Sequence, residues 1–215
     1  MSAPLPSISR EDFRRLLGRH SPEPLDGRAL DACYVHYQEL ALWNRRLSLI
    51  GPGTADEVVA RHFGESLAAL PLIPPGARTA VDVGSGAGFP GLVLAAAKPG
   101  METTLVEARE RKWSFLQSVA RKASLPCRCL NARVQLPLPA GLPDCIDVLT
   151  ARALKLPPEI LGAVARRMGP EGRVLLWVGE KDPEIPPDLA PADSVKLEGS
   201  ERRRILCLRP LEPER

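Results

Sequence analysis

The chain has 215 residues, which fits one domain, or one domain with a small appendage, and is enough to bury a substantial core. Hydrophobic residues make up 44% and charged residues 26%. That is a globular composition, and no apolar run approaches the roughly 20 residues that cross a bilayer. A net charge of +3 decides little.

The elements follow in chain order. Met1 to Pro6 lacks a basic start followed by an apolar stretch, so no secretion signal is expected and a cytoplasmic setting is. Ser9 to Gly18 has a capping serine, an acidic first turn and a glycine stop, and reads as a helix. A second helix is expected over 28–43, where Leu30, Tyr34, Tyr37 and Ala41 recur at three- and four-residue steps. A third runs from Ala55 to Leu70. The proline- and glycine-rich stretch Pro71 to Gly76 then divides the chain into an N-terminal helical region, 1–75, and a second domain, 76–215.

Beyond that boundary strands and helices alternate. Strands are expected at 79–83, 102–107, 146–150 and 173–178, with helices at 90–97, 109–123 and 158–168. Two more strands are expected over 194–209. This order predicts an α/β fold, a mostly parallel, doubly wound sheet with helices on both faces.

Ligands of such sheets bind beyond the carboxyl ends of the strands. Residues 82–91, DVGSGAGFPG, stand at such an end. Gly84, Gly86 and Gly88 permit backbone angles and close approaches that a side chain would forbid. Ser85 lies between the first two. Glu107 ends the next strand, where its carboxylate can accept both hydroxyls of a ribose, so loop and acid together point to an adenosine-type cofactor. The run from Gly86 to Gly91 also satisfies the G-x-G-x-x-G pattern of dinucleotide enzymes, but a turn that begins at Gly84 puts Phe89 where the third glycine would stand.

The stretch from Asp82 to Gly88 resembles the S-adenosylmethionine loop of the class I methyltransferases, whose sheet is Rossmann-like. Gly84 to Gly91, with its Phe-Pro-Gly extension, and Leu105 to Leu116, LVEARERKWSFL, resemble the bacterial 16S ribosomal RNA guanine-N7 methyltransferases, the glucose-inhibited division protein B family. Leu42 to Leu49, Arg61 to Leu67 and Ala151 to Ala153 are similar to further signatures of that family. The resemblance implies that Gly84 and Phe89 contact S-adenosyl-L-methionine and that Val134 and Gln135 hold its adenine end. It also implies a catalytic or cofactor-binding place for Arg152, which could bind the cofactor carboxylate, an RNA phosphate or the target base. The chain departs from the family at Gln135, Ser48 and Glu65, and at Val178, where a lysine is usual.

Methylation at guanine N7 needs no general base, because that nitrogen carries no proton, so positioning supplies most of the catalysis. His20, His36 and His62 are therefore read as surface or packing residues. Trp43 and Phe63 are read as core residues joining the helices to the sheet, and Trp113 as packing its helix on the sheet. Cys127 and Cys129 are expected to point to opposite faces of a strand, and the five cysteines to be reduced thiols without a metal. Seven basic residues against one acid between Arg109 and Arg133, and Arg202 to Arg204, are either solvated faces or phosphate-binding patches.

The expected partner is small-subunit ribosomal RNA or the ribosomal subunit, without a membrane or a stable protein partner. Two other readings stand beside the methyltransferase: an NAD-dependent oxidoreductase using the overlapping glycine pattern, and a non-catalytic RNA-binding or assembly protein on the same fold.

Overall fold

A computed structural model describes residues 5–211. Seven strands, β1 (Thr79–Val83), β2 (Glu102–Glu107), β3 (Cys127–Asn131), β4 (Val148–Arg152), β5 (Arg173–Val178), β6 (Leu189–Lys196) and β7 (Arg204–Pro210), form one sheet in the order β3-β2-β1-β4-β5-β7-β6. The first five run parallel, and β7 is antiparallel to both of its neighbours. Strand order reverses between β1 and β4, so a crevice opens at their carboxyl ends.

Alternation along the strands gives each face its own core. Ala80, Leu105, Val148, Leu175 and Ile205 pack with α1 (Arg10–Arg19), α2 (Gly27–Leu47), α5 (Gly91–Ala97) and α6 (Glu110–Lys122). Val81, Val83, Leu149, Ala151, Val174 and Leu176 pack with α7 (Pro158–Ala165) on the other face. α1 begins as the sequence predicts: the Ser9 hydroxyl accepts the Asp12 amide, and Phe13 and Leu17 are fully buried. The N-terminal helices and the sheet thus share one continuous core across residues 71–76.

Four expectations need correction. The single helix over 55–70 is instead α3 (Ala55–Val58), a π-helical stretch (Val59–Gly64), α4 (Glu65–Leu67) and a 3-10 turn (Leu70–Leu72). The strand expected at 146–150 runs from Val148 to Arg152, which brings Arg152 into the sheet. The penultimate strand begins at Leu189, five residues earlier than expected, because the polar stretch from Pro191 to Ser194 pairs along an exposed edge. Cys127 and Cys129 share a face, since alternate residues of a strand point the same way. The neighbouring Cys129 thiol together with burial pushes the Cys127 thiol up.

Trp43 packs edge-on to Phe115, Phe63 is fully buried, and Trp113 donates its indole N–H to the Cys129 carbonyl at 3.1 Å. All three therefore take the packing places expected of them.

Candidate cofactor and substrate cleft

The glycine loop turns sharply after β1. The amides of Gly84 and Ser85 both donate to the Val106 carbonyl, at 2.8 and 3.1 Å, which ties the loop to β2. Gly84 (φ 71°) and Gly86 (φ 53°) take left-handed conformations that other residues adopt only at a cost. Glu107 closes the far side: its carboxylate accepts the Gly86 amide at 3.0 Å and the Arg109 amide at 2.8 Å. The predicted acid therefore braces the loop as well as standing at the expected ribose position.

Beneath the loop, Asp82 is fully buried and accepts the Thr150 hydroxyl at 2.6 Å, while the Ser85 hydroxyl donates to the Asp82 carbonyl at 2.9 Å. Burial pushes the Asp82 carboxyl up to about 6, against the hydrogen bonds that favour its charged form. His36, also buried, donates its Nε2 proton to the Ala87 carbonyl at 2.8 Å and stacks on Phe89 with ring centroids 4.7 Å apart. His62 stacks on Phe89 at 5.0 Å. Burial lowers His36 to about 4, and burial with the nearby Arg152 and Arg61 lowers His62 to about 3. Both rings are neutral at physiological pH.

A cleft of about 1480 Å³ runs from this loop to the ends of β4 and β5. Gly84, Ser85, Gly86, Phe89, Glu107, Val134 and Arg152 line it. Gly88 does not: it lies under the loop, where a Cβ would fall 2.3 Å from Leu92 and 3.1 Å from the His36 ring. Gln135 is exposed and is not part of the cleft wall, although its neighbour Val134 is.

Arg152 is mostly consumed by protein. It donates to the Arg61 carbonyl at 2.7 Å, the His62 carbonyl at 3.3 Å and the Glu65 carboxylate at 2.7 Å. Arg203 binds the other oxygen of Glu65, and the Trp177 indole donates to the Glu65 backbone carbonyl at 3.0 Å. The sequence reading missed Glu65 as a hub and His62 and Trp177 as cleft walls. The signals present were the run Arg202 to Arg204 for Arg203 and the family-like stretch Arg61 to Leu67 for His62 and Glu65.

The GidB family, described as rRNA small subunit methyltransferase G, matches residues 31–186. The chain belongs to the GidB family. The ribosomal RNA small subunit methyltransferase G of Paramagnetospirillum magneticum is 41% identical over 150 residues, 70% of this chain and 71% of that protein. Its counterpart in Desulfotalea psychrophila is 34% identical over 181 residues, 83% of this chain and 82% of that protein. Among solved structures, a SAM dependent methyltransferase from Aquifex aeolicus superposes with a TM-score of 0.55 at 15% identity, covering 72% of this chain and 93% of that one. MtNAS in complex with MTA and tNA gives a TM-score of 0.57 at 15% identity, over 94% of this chain and 74% of that one. These likenesses show the class I methyltransferase fold.

GidB membership sets aside the nicotinamide and non-catalytic readings. The residues present also fit S-adenosylmethionine: a bare glycine turn for close backbone approach, a carboxylate at the end of β2 for ribose hydroxyls, and the apolar Val134 for the adenine end.

Proposed function

We propose that the chain transfers the methyl group of S-adenosylmethionine to N7 of a guanine in 16S ribosomal RNA. The observation that carries this reading is one continuous cleft joining the glycine loop and Glu107 to a cationic, aromatic end built by Arg152, Trp177 and Arg203. Gly84, Ser85, Gly86, Phe89, Glu107 and Val134 hold the cofactor. When bound, it supplies a methyl carbon on a sulfonium; transfer forms the N7–C bond, leaves the S–C electron pair on sulfur and places the positive charge on the purine. The protein removes no proton, so its work is alignment and exclusion of water.

Arg152 acts by clamping the backbone at Arg61 and His62, which makes it a positioning residue. Val178 lines the cleft without a charge, and Arg203, on the chain leading into the neighbouring strand β7, supplies a cation at that end. The N-terminal helical region, 1–75, serves as an extension of the methyltransferase domain, 76–215. The basic residues Arg109, Lys112 and Arg133, which line the cleft, meet RNA phosphates. The setting is cytoplasmic; among the described residues no helix is long and apolar enough to cross a membrane.

Calorimetric titration with S-adenosylmethionine tests the cofactor site. The parent protein binds, and Gly84→Asp does not, because a side chain at φ 71° is strained and its Cβ would fall 2.9 Å from Leu154. Methylation of 16S ribosomal RNA, followed by borohydride and aniline cleavage at 7-methylguanine, tests the substrate. Binding without cleavable product would overturn the N7 assignment.

A further inference from the structure

Two neighbouring strands and the chain entering a third each send one side chain to Glu65: Arg152 at the end of β4, Trp177 in β5 and Arg203 just before β7. Arg152 pairs with Trp177 in the sheet and Trp177 with Ile205, two residues beyond Arg203, on the face that carries the N-terminal helices. The two arginines commit their guanidinium groups to the carboxylate. Trp177 commits only one edge of its indole, through Nε1.

That single hydrogen bond fixes the ring's orientation while the half-buried side chain remains part of the cleft wall. The other two tryptophans are used differently: Trp43 donates to Glu39 and packs on Phe115, Trp113 donates to Cys129, and neither lines the cleft. Trp177 lines the same cleft as the glycine loop, and Leu154, which follows the neighbouring strand β4, crowds Gly84.

We propose that Trp177 is the platform on which the acceptor guanine stacks, and that its π face stabilises the positive charge the purine acquires. This rests on the guanine-N7 reading above. Unpaired RNA bases are commonly read by stacking on aromatic side chains. Arg61, Arg152 and Arg203 line this part of the cleft with the acids Glu57, Glu65 and Glu198, so the surroundings supply no clear excess of negative charge for a purine gaining positive charge. An indole face attracts a cation placed over it. The interaction grows as charge develops, so it favours the transition state over bound substrate. It also makes the methylated base bind more tightly than the unmethylated one.

Two measurements test the proposal. Steady-state methylation of 16S ribosomal RNA is compared among the parent, Trp177→Phe and Trp177→Leu. Phenylalanine keeps an aromatic face but loses the bond to Glu65; leucine loses both. Stacking predicts that Trp177→Phe stays within about threefold of the parent kcat/KM while Trp177→Leu falls about tenfold or more, the usual scale for loss of one stacked base. Equal losses would mean that Trp177 only tethers Glu65, and no loss would mean that it does neither; both overturn the proposal.

The second measurement needs no activity. With Trp43→Phe and Trp113→Phe, the fluorescence comes from Trp177, and the protein is titrated with 7-methylguanosine monophosphate and with guanosine monophosphate. Saturable quenching is expected, severalfold tighter for the methylated nucleotide. Quenching by neither nucleotide, or equal affinity for both, overturns the proposal. A parent that leaves 16S RNA unmethylated yet shows the selective quenching would remove the N7 reading and keep Trp177 as a purine platform. Methylation without quenching would do the reverse.

Discussion

Gly91 has no room for a side chain: a Cβ there would stand 2.3 Å from Leu105 and 2.6 Å from the Asp82 carboxylate. Gly91→Ala should therefore destabilise the protein by about 1–3 kcal/mol, the usual cost of overpacking, seen as a lower midpoint in urea unfolding. The last glycine of the Phe-Pro-Gly extension is thus fixed by packing of α5 on β2, whereas Gly84 and Gly86 are fixed by backbone conformation. The string of glycines shows in the sequence, but these separate reasons do not. The place of Glu107 at the end of its strand was legible, because strand length and residue type suffice to locate it. Its bond to the Gly86 amide was not, because that depends on how closely β2 lies to the loop.

At the scale of elements, the segment 55–72 departs most from its sequence pattern. Apolar spacing predicts one α-helix, and the π-helical stretch from Val59 to Gly64 replaces its middle. π-helical turns are rare and cluster at functional sites. Here the Arg61 and His62 carbonyls are held by Arg152, 91 and 90 residues away, and no local pattern encodes such a partner. Glu65 holds the clamp together while 5% exposed, shared by Arg152 and the more accessible Arg203. Glu65→Gln leaves two guanidinium groups without their carboxylate. A loss of about 3 kcal/mol is expected from the scale for breaking a buried pair, with Arg203 partly relieved by water. Thermal unfolding of the variant measures it, and an unchanged midpoint would show that the hub does not hold the segment.

At the scale of the molecule, three titratable groups compete as pH falls, His36 and Asp82 buried and His62 half-buried in the cleft wall. His36 and His62 have folded pKa values depressed from 6.5 to about 4 and about 3, so their stability contribution is present above pH 6.5 and is lost as pH falls through the folded values. Asp82 is raised from 3.8 to about 6, so its contribution runs the other way: present below 3.8 and lost as pH rises through 6. Between pH 7.5 and 5 the two histidines together cost about 4 kcal/mol and Asp82 returns about 1.4, at 1.36 per unit. The histidines win, and a fall in Tm of roughly 5–10 °C is expected by calorimetry over that range. His36→Phe, set among Phe63, Phe89 and Phe115, should remove about half of the histidine contribution to that pH dependence. The shared core leads to another expectation. Residues 76–215 expressed alone would uncover the sides of α5 and α6 on which α2 now packs, and should give no cooperative unfolding transition.

The sequence by itself determined the α/β alternation, the glycine loop after the first strand, the acid closing the second and the resemblance to one RNA methyltransferase family. All of these are written in residues near one another along the chain, through strand and helix periods and turn chemistry. Tertiary structure alone decided that Arg152 clamps a π-helical turn, that Glu65 collects Arg152, Trp177 and Arg203, and that His62 and Trp177 wall the cleft. Those arrangements join residues 87 to 138 positions apart, and such partners are chosen by sheet order and packing.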